Sequence, residues 1–317
     1  MIVTLNREWH EALRAVVGSE HVTVEAPLGA LTTFRVGGPA DCLAEVRGRD
    51  DLVRVLRIAR AAGVPITLLG GGSNVLVGDR GVRGLVVRVR GGAIAMCASD
   101  VVRADAGVTM NELVRWTISR GLSGLEAWAG TPGTVGGAVC GNAHFDGRLI
   151  GDLVVSAELV APDGELARVP ASAMEFGYDD SRLRRTRETL LSADFAVTPD
   201  GSPMELRRVA RRSLAFRKRT QPLETPSAGC IFQNPDPSRD SIPADVPASA
   251  GALIDRAGLK GRSIGGACVS AAHGNFIVNT GRATALEIRD LVRLCRDEVE
   301  RRFGIRLREE IVYVGEF

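Results

Sequence analysis

The sequence predicts an α+β or mixed α/β protein of two domains. Short apolar runs alternate with helical patterns over the first two-thirds of the chain. Two glycine-rich blocks, LLGGGSNVLVGDRG (68–81) and AWAGTPGTVGGAVCGNAHFDG (127–147), fall between those runs. At 317 residues the chain is long enough to bury two cores.

In chain order, RDDLVRVLRIARAAG (49–63) places Leu52, Val55, Leu56 and Ala59 on one helical face, with Asp50 or Asp51 as a start signal and Gly63 as a stop. PITLLGGGSN reads as a strand entering a glycine turn. GLVVRV (84–89) and VVRADAG (101–107) read as further strands. Thr109 and Glu112 form a capping-box pattern that opens a helix ending near Gly121. DLVVSAELVAPDGELARVP (152–170) reads as a hairpin with a Pro-Asp-Gly turn. A boundary falls near FAVTPDGSP (195–203), and MELRRVARRSLAFRKRT follows as a basic helix. Thr284 and Glu287 cap a long helix with the apolar stripe Ile288, Leu291, Val292, Cys295, Val299 and Phe303. Gly304 ends it, and IRLREEIVYVG (305–315) reads as a final strand.

Composition narrows the function. The chain is 45% hydrophobic and 25% charged, an ordinary globular balance. Its net charge of +2 gives no electrostatic footprint for nucleic acid. No window of 18 uncharged apolar residues argues for membrane insertion, and MIVTLNREWHEALRAVVGS does not read as a signal peptide. Cysteines stand at 42, 97, 140, 230, 268 and 295 without a C-x-x-C pair, so no metal site is expected. Reduced thiols in the cytoplasm are the simplest reading. His144 and His273 read as structural polar groups.

The glycine blocks carry the first chemical signal. Successive glycines expose backbone N–H groups, and such concave nests bind phosphate. The candidates are Gly70, Gly71, Gly72, Ser73 and Asn74 in the first block, and Gly133, Thr134, Gly136, Gly137 and Asn142 in the second. Two separated blocks suit a pyrophosphate held between two chain segments. Neither block is G-x-G-x-x-G opening a helix, and neither is G-x-x-x-x-G-K-[ST]. The second signal is PSAGCIFQNP (226–235), where Cys230 follows a glycine within an apolar run. From the residues alone, Cys230 is either a packing thiol or one aimed into a reaction site.

Seven blocks occur in a telling order: TTFRVGGPAD (32–41), LLGGGSNVLV, AGTPGTVGGAV, PSAGCIFQNP, AGALIDRAGLKG, VSAAHGNFIVN and LREEIVYVG. From about residue 28 to the C-terminus the chain resembles the UDP-N-acetylenolpyruvoylglucosamine reductase family. The short connection after GYDDSRLR resembles the compact type, which lacks an extra substrate-covering loop. The resemblance implies an α+β fold with a two-subdomain FAD-binding unit of the vanillyl-alcohol-oxidase (PCMH) type over 1–203. A smaller α+β substrate domain over 204–304 follows, and a terminal strand over 305–317 returns to the first unit. It implies FAD as cofactor, NADPH as co-substrate and a UDP-sugar as substrate, in a monomeric cytoplasmic enzyme of peptidoglycan precursor synthesis.

The resemblance also assigns residues. Cys230 stands where the family has a proton-donating serine, and Ser227 is a weaker candidate for that acid. Glu310 matches the family's C-terminal glutamate, while Glu309 reads as a solvated charge. Tyr178, Lys218 and Asn234 match substrate-contacting positions. Asp179 stands where the family has an arginine, leaving Arg182 or Arg184 to supply a cation; Arg182 is the candidate taken. Gln233 and Cys268 depart from the usual lysine and glutamine. The alternatives are a divergent paralogue acting on another substrate, or a non-enzymatic flavin-binding protein.

Overall fold

A computed structural model describes residues 7–199 and 201–317. The first residues of the N-terminal stretch, and Asp200 in the boundary stretch 195–203, lie outside the described residues. In chain order the elements are α1 (Arg7–Val17), β1 (Val22–Pro27), β2 (Pro39–Arg47), α2 (Arg49–Ala61), β3 (Ile66–Leu69), β4 (Val75–Val77), β5 (Val82–Arg90), β6 (Ile94–Ala98) and β7 (Val101–Asp105). There follow α3 (Met110–Ser119), α4 (Val135–Cys140), β8 (His144–Phe145), β9 (Arg148–Leu149), β10 (Val154–Val160), β11 (Leu166–Pro170), α5 (Leu183–Thr186) and β12 (Thr189–Ala196). The last third holds α6 (Pro203–Thr220), α7 (Ala250–Arg256), β13 (Ser263–Ile264), β14 (Ala267–Val269), β15 (Ile277–Asn279), α8 (Ala285–Phe303) and β16 (Val312–Val314).

The chain packs as two compact units, each assembled from three stretches rather than one continuous span. The first takes residues up to 26, then 41–71 and 83–215; the second takes 27–40, 72–82 and 216–317. The first unit holds a sheet in the order β1-β2-β5-β3 and another in the order β11-β10-β12-β7-β6. On α2, Leu52, Val53, Val55, Leu56 and Ala59 are buried, as the period predicts. Gly48 is the N-cap, and Asp50 and Asp51 sit in the first turn, where they favour the helix dipole. The capping box of α3 forms as expected: Thr109 Oγ1 accepts from Glu112 N at 3.1 Å, and Thr109 N donates to Glu112 Oε2 at 2.9 Å. The 152–170 hairpin pairs Val160 with Leu166, and Gly164 turns it with φ +92°.

The second unit packs α8 on a small antiparallel sheet, β13-β14-β15. Ile288, Leu291, Val292, Cys295 and Val299 join Phe34 and Leu76 in its core. Thr284 Oγ1 caps α8 by accepting from Glu287 N at 3.1 Å. Asp79 strengthens the same end, accepting from Ala285 N at 2.8 Å and Leu286 N at 3.0 Å. Gly304, at φ +70°, ends the helix.

The expected final strand over 305–315 needs correction. Only Val312–Val314 forms a strand, paired parallel to β4. Ile305, Leu307 and Ile311 do bury, which is why the segment reads as a strand. Its hydrogen bonds go elsewhere: Gln233 N donates to Arg308 O and Glu310 N to Ile231 O, both at 2.8 Å. Among the described residues no helix is long and apolar enough to cross a membrane.

Candidate active site

In the first unit the two glycine blocks touch. A Cβ on Gly71 would lie 2.6 Å from Gly133 Cα, and one on Gly70 would lie 2.5 Å from Thr134 Oγ1. Only glycine permits this approach. The second block is fixed by Met110 N donating to Gly133 O (3.1 Å), Val135 N to Val108 O (2.8 Å) and Gly136 N to Ala106 O (2.8 Å). A cavity of about 190 Å³ opens here, lined by Gly70, Thr134, Gly136, Gly137, Cys140 and Leu183 among others. Burial pushes the Cys140 thiol up, so it stands as a neutral wall. Glycine backbone and apolar side chains of this kind fit a flavin nucleotide, because the backbone can come close to the ligand without Cβ hindrance. Asn142 plays a scaffold part. Its Nδ2 donates to Gly177 O at 2.7 Å and its Oδ1 accepts from Gly151 N at 2.8 Å.

The loop fastened by Asn142 carries the sequence's most unexpected residue. Asp179 is 4% exposed and sits at φ +53°, a left-handed conformation that aspartate tolerates better than most residues. Its Oδ1 lies 3.0 Å from His144 Nδ1, so an imidazole answers the buried carboxylate. Sequence reasoning assigns His144 no such role, because the pairing joins strand β8 to a turn 35 residues further on. Tyr178 lies exposed with its ring centroid 4.9 Å from that of His144. Arg182 is tied to Glu188 by paired hydrogen bonds of 2.8 Å and donates to Ala173 O at 3.1 Å. It is therefore not a lone cation. Arg185 is paired with Glu175 and Asp180, and Arg184 is exposed.

In the second unit three segments distant in sequence are sewn together. Glu310 N donates to Ile231 O at 2.8 Å, Asn74 Nδ2 donates to Glu310 O at 3.2 Å, and Val312 N donates to Asn74 O at 3.0 Å. The end of the first glycine block, the Cys230 segment and Glu310 thus meet. Ser73 is half-buried in the same turn, and Gly72 O accepts from Thr33 N at 3.0 Å. Gly229 precedes the thiol at φ +81°. Cys230 itself is half-buried.

Asn275, which residue type alone does not single out, anchors this junction. It is 3% exposed; its Oδ1 accepts from Phe232 N at 2.9 Å and its Nδ2 donates to Phe232 O at 2.7 Å. Its own carbonyl accepts from Ile231 N at 2.9 Å. Asn275→Ala leaves both buried backbone groups of Phe232 unpaired, and it is expected to cost about 2–4 kcal/mol in urea unfolding. A loss below about 0.5 kcal/mol would mean water replaces the amide. His273 is structural as expected, with Nδ1 accepting from Asn275 N at 3.2 Å.

Two predicted substrate contacts lie on the surface. Lys218 is exposed on α6, and Asn234 is exposed with Oδ1 accepting from Ala250 N at 3.1 Å. The buried cation of α6 is Arg217, at 7% exposure. The spacing Leu206, Ala210, Ser213, Arg217 places it on the helix's inward stripe, a signal present in the sequence. Among the described residues no cluster of His, Cys, Asp or Glu could hold a metal ion.

Residues 40–170 match the model of an FAD binding domain, and residues 221–314 match that of the UDP-N-acetylenolpyruvoylglucosamine reductase C-terminal domain. The chain is 40% identical over 308 residues to UDP-N-acetylenolpyruvoylglucosamine reductase 2 of Symbiobacterium thermophilum, covering 96% of each. It is 40% identical over 295 residues to the reductase of Moorella thermoacetica, covering 93% of this chain and 94% of that one. The crystal structure of the Thermus caldophilus reductase matches with a TM-score of 0.75 at 34% identity, over 92% of this chain and 98% of that one. These findings bear out the α+β fold and the resemblance carried by the seven sequence blocks. The chain belongs to the UDP-N-acetylenolpyruvoylglucosamine reductase family.

Proposed function

We propose that Cys230 and Glu310 carry the proton chemistry by which this flavoenzyme makes UDP-N-acetylmuramate from the enolpyruvyl ether of UDP-N-acetylglucosamine. The observation that supports this most is the hydrogen-bonded junction of Asn74, Ile231 and Glu310, which holds the thiol's segment against the carboxylate's segment. FAD, held along the close approach of Gly70 and Gly71 to Gly133 and Thr134, would supply the hydride chemistry between NADPH and C3 of the enolpyruvyl group. The protein must then stabilise charge at C2 and the adjoining carboxylate, and place a proton at C2.

Cys230 fills the second need. A free thiol titrates near pH ~8.5, much closer to neutrality than a serine hydroxyl, so it gives up its proton more readily. Glu310 holds the substrate carboxylate through a shared proton. The glycine blocks are assigned to FAD, and Lys218 on the basic end of α6 to a diphosphate as a point charge. Tyr178 and Asn234 complete the sugar-nucleotide contacts. Residues 1–203 then serve the flavin, residues 204–304 the substrate, and 305–317 bring Glu310 to the reaction. A cytoplasmic monomer is the expected form.

The test is NADPH oxidation by the purified yellow protein with and without UDP-N-acetylglucosamine enolpyruvate. Substrate-dependent turnover giving UDP-N-acetylmuramate by mass is expected. Flavin that bleaches with NADPH but ignores that substrate would point to another acceptor, and Asp179→Arg would then be the first reversion to make.

A further inference from the structure

The net charge of the whole chain conceals a strong local one. α6 carries seven basic residues against one acidic residue, a net +6 over 18 residues, whereas the full chain is +2. Everything outside α6 is therefore net negative. One stripe of the helix, Leu206, Ala210 and Ser213, is buried. Met204, Arg207, Arg211 and Leu214 follow one another at helical spacing on a second stripe, and all four are exposed. Arg208 and Arg212 flank that stripe and are exposed too.

These arginines lack the partners that arginines have elsewhere in the molecule. Arg103 and Arg168 share Asp194, Arg182 holds Glu188, and Arg296 holds Glu309. On α6, Glu205 pairs with Arg208 at 2.8 Å, and among the described residues no carboxylate forms an ion pair with Arg207, Arg211 or Arg212. Arg207 stands four residues from Arg211, and Arg208 four from Arg212, so like charges face each other along the helix. That repulsion destabilises the helix. An anionic surface laid along the stripe would offset it.

The apolar ends of the stripe decide which anionic surface fits. Met204 is 71% exposed and Leu214 is 39% exposed, one on each side of the Arg207–Arg211 pair. Phosphates alone give a methionine or leucine side chain nothing to bury against. A bilayer interface offers headgroup phosphates to the guanidiniums and the acyl boundary to the apolar side chains. Arginine suits this depth, because its methylene stem lies along apolar surface while its head stays in water. No described helix is long and apolar enough to cross a membrane, so α6 would lie on the surface. We propose that the exposed stripe of α6 docks the protein on an anionic phospholipid surface, in the headgroup plane and without crossing the bilayer. This docking is independent of the proposed reaction, and Lys218, one turn further on and assigned to a diphosphate, is not required for it.

The experiment sediments the flavin-loaded protein with vesicles of phosphatidylcholine alone, or of phosphatidylcholine mixed with phosphatidylglycerol. The wild type is expected to bind the anionic vesicles at least about tenfold more tightly than the neutral ones, with the difference shrinking as salt is raised. Arg207→Gln combined with Arg211→Gln should lower that affinity by about tenfold or more and leave reduction of the flavin by NADPH at its wild-type rate. Met204→Ser combined with Leu214→Ser should also weaken binding, most visibly at high salt, where the apolar share persists. Polyglutamate and polyuridylate serve as lipid-free polyanions. A wild type that does not sediment with anionic vesicles at low salt overturns the proposal, whether or not the variants fold. Equal binding to both kinds of vesicle overturns it as well. So does binding to either polyanion as tight as to the anionic vesicles with no effect of the serine pair, which would assign the stripe to an acidic polypeptide or a nucleic acid.

Discussion

Cys230→Ala is expected to lower turnover by about 10²–10⁴-fold while leaving reduction of the flavin by NADPH at its wild-type rate. The two halves of the reaction make different demands on the protein. Reducing the flavin needs no proton at the substrate's C2, so a missing thiol should not be felt there. Forming the product needs that proton within hydrogen-bond reach, and the Cys230 segment is held by backbone hydrogen bonds that alanine does not disturb. A fold defect would lower both half-reactions together, which stopped-flow absorbance separates. Cys230→Ser should retain activity, because a hydroxyl restores a proton donor at the same atom position. Alanine protein that turns over normally would move the search for the acid to Ser227 or to Glu310.

Much of the molecule is legible in the amino-acid sequence, for local reasons. The caps at Thr109 and Thr284 are read from residues three apart, and both form. The stripes of α2 and α8 are read from helical period, and both bury. What escapes is set by distant partners. The stretch 305–311 is patterned like a strand, yet its neighbour is the 231–233 segment and its ladder is one bridge, Phe232 to Glu309. Asp179 looks like a naked negative charge at a cation's position; its compensation by His144 comes from a residue 35 positions away. Arg182 looks like the available arginine until Glu188, six residues on, takes the Nε and Nη2 edge of its guanidinium and Ala173 O takes Nη1. Arg217 is the instructive miss. Residue type draws attention to Lys218, whereas helical period distinguishes the buried cation from its exposed neighbour.

Gly71→Ala is expected to yield protein with little bound flavin. The reason is space, since Gly71 does not require a left-handed backbone. Its missing Cβ would lie 2.6 Å from Gly133 Cα, a backbone atom that cannot swing aside as a side-chain tip would. Relieving the clash means parting the blocks by roughly 1 Å, enough to lose van der Waals contact along the approach. Gly70 marks the same close approach, since its own missing Cβ would lie 2.5 Å from the buried Thr134 hydroxyl that caps α4. Overpacking of this kind also destabilises the fold, by about 1–3 kcal/mol. That is a fraction of the stability of an ordinary domain, so the variant should remain folded by far-UV circular dichroism. The flavin-to-protein ratio from visible absorbance is the deciding measurement. A yellow Gly71→Ala protein with wild-type stoichiometry would show that the cofactor does not depend on the close approach of the two blocks. A colourless but folded protein would tie FAD to that approach, since a single methyl group would have removed the cofactor and left the rest of the chain in place.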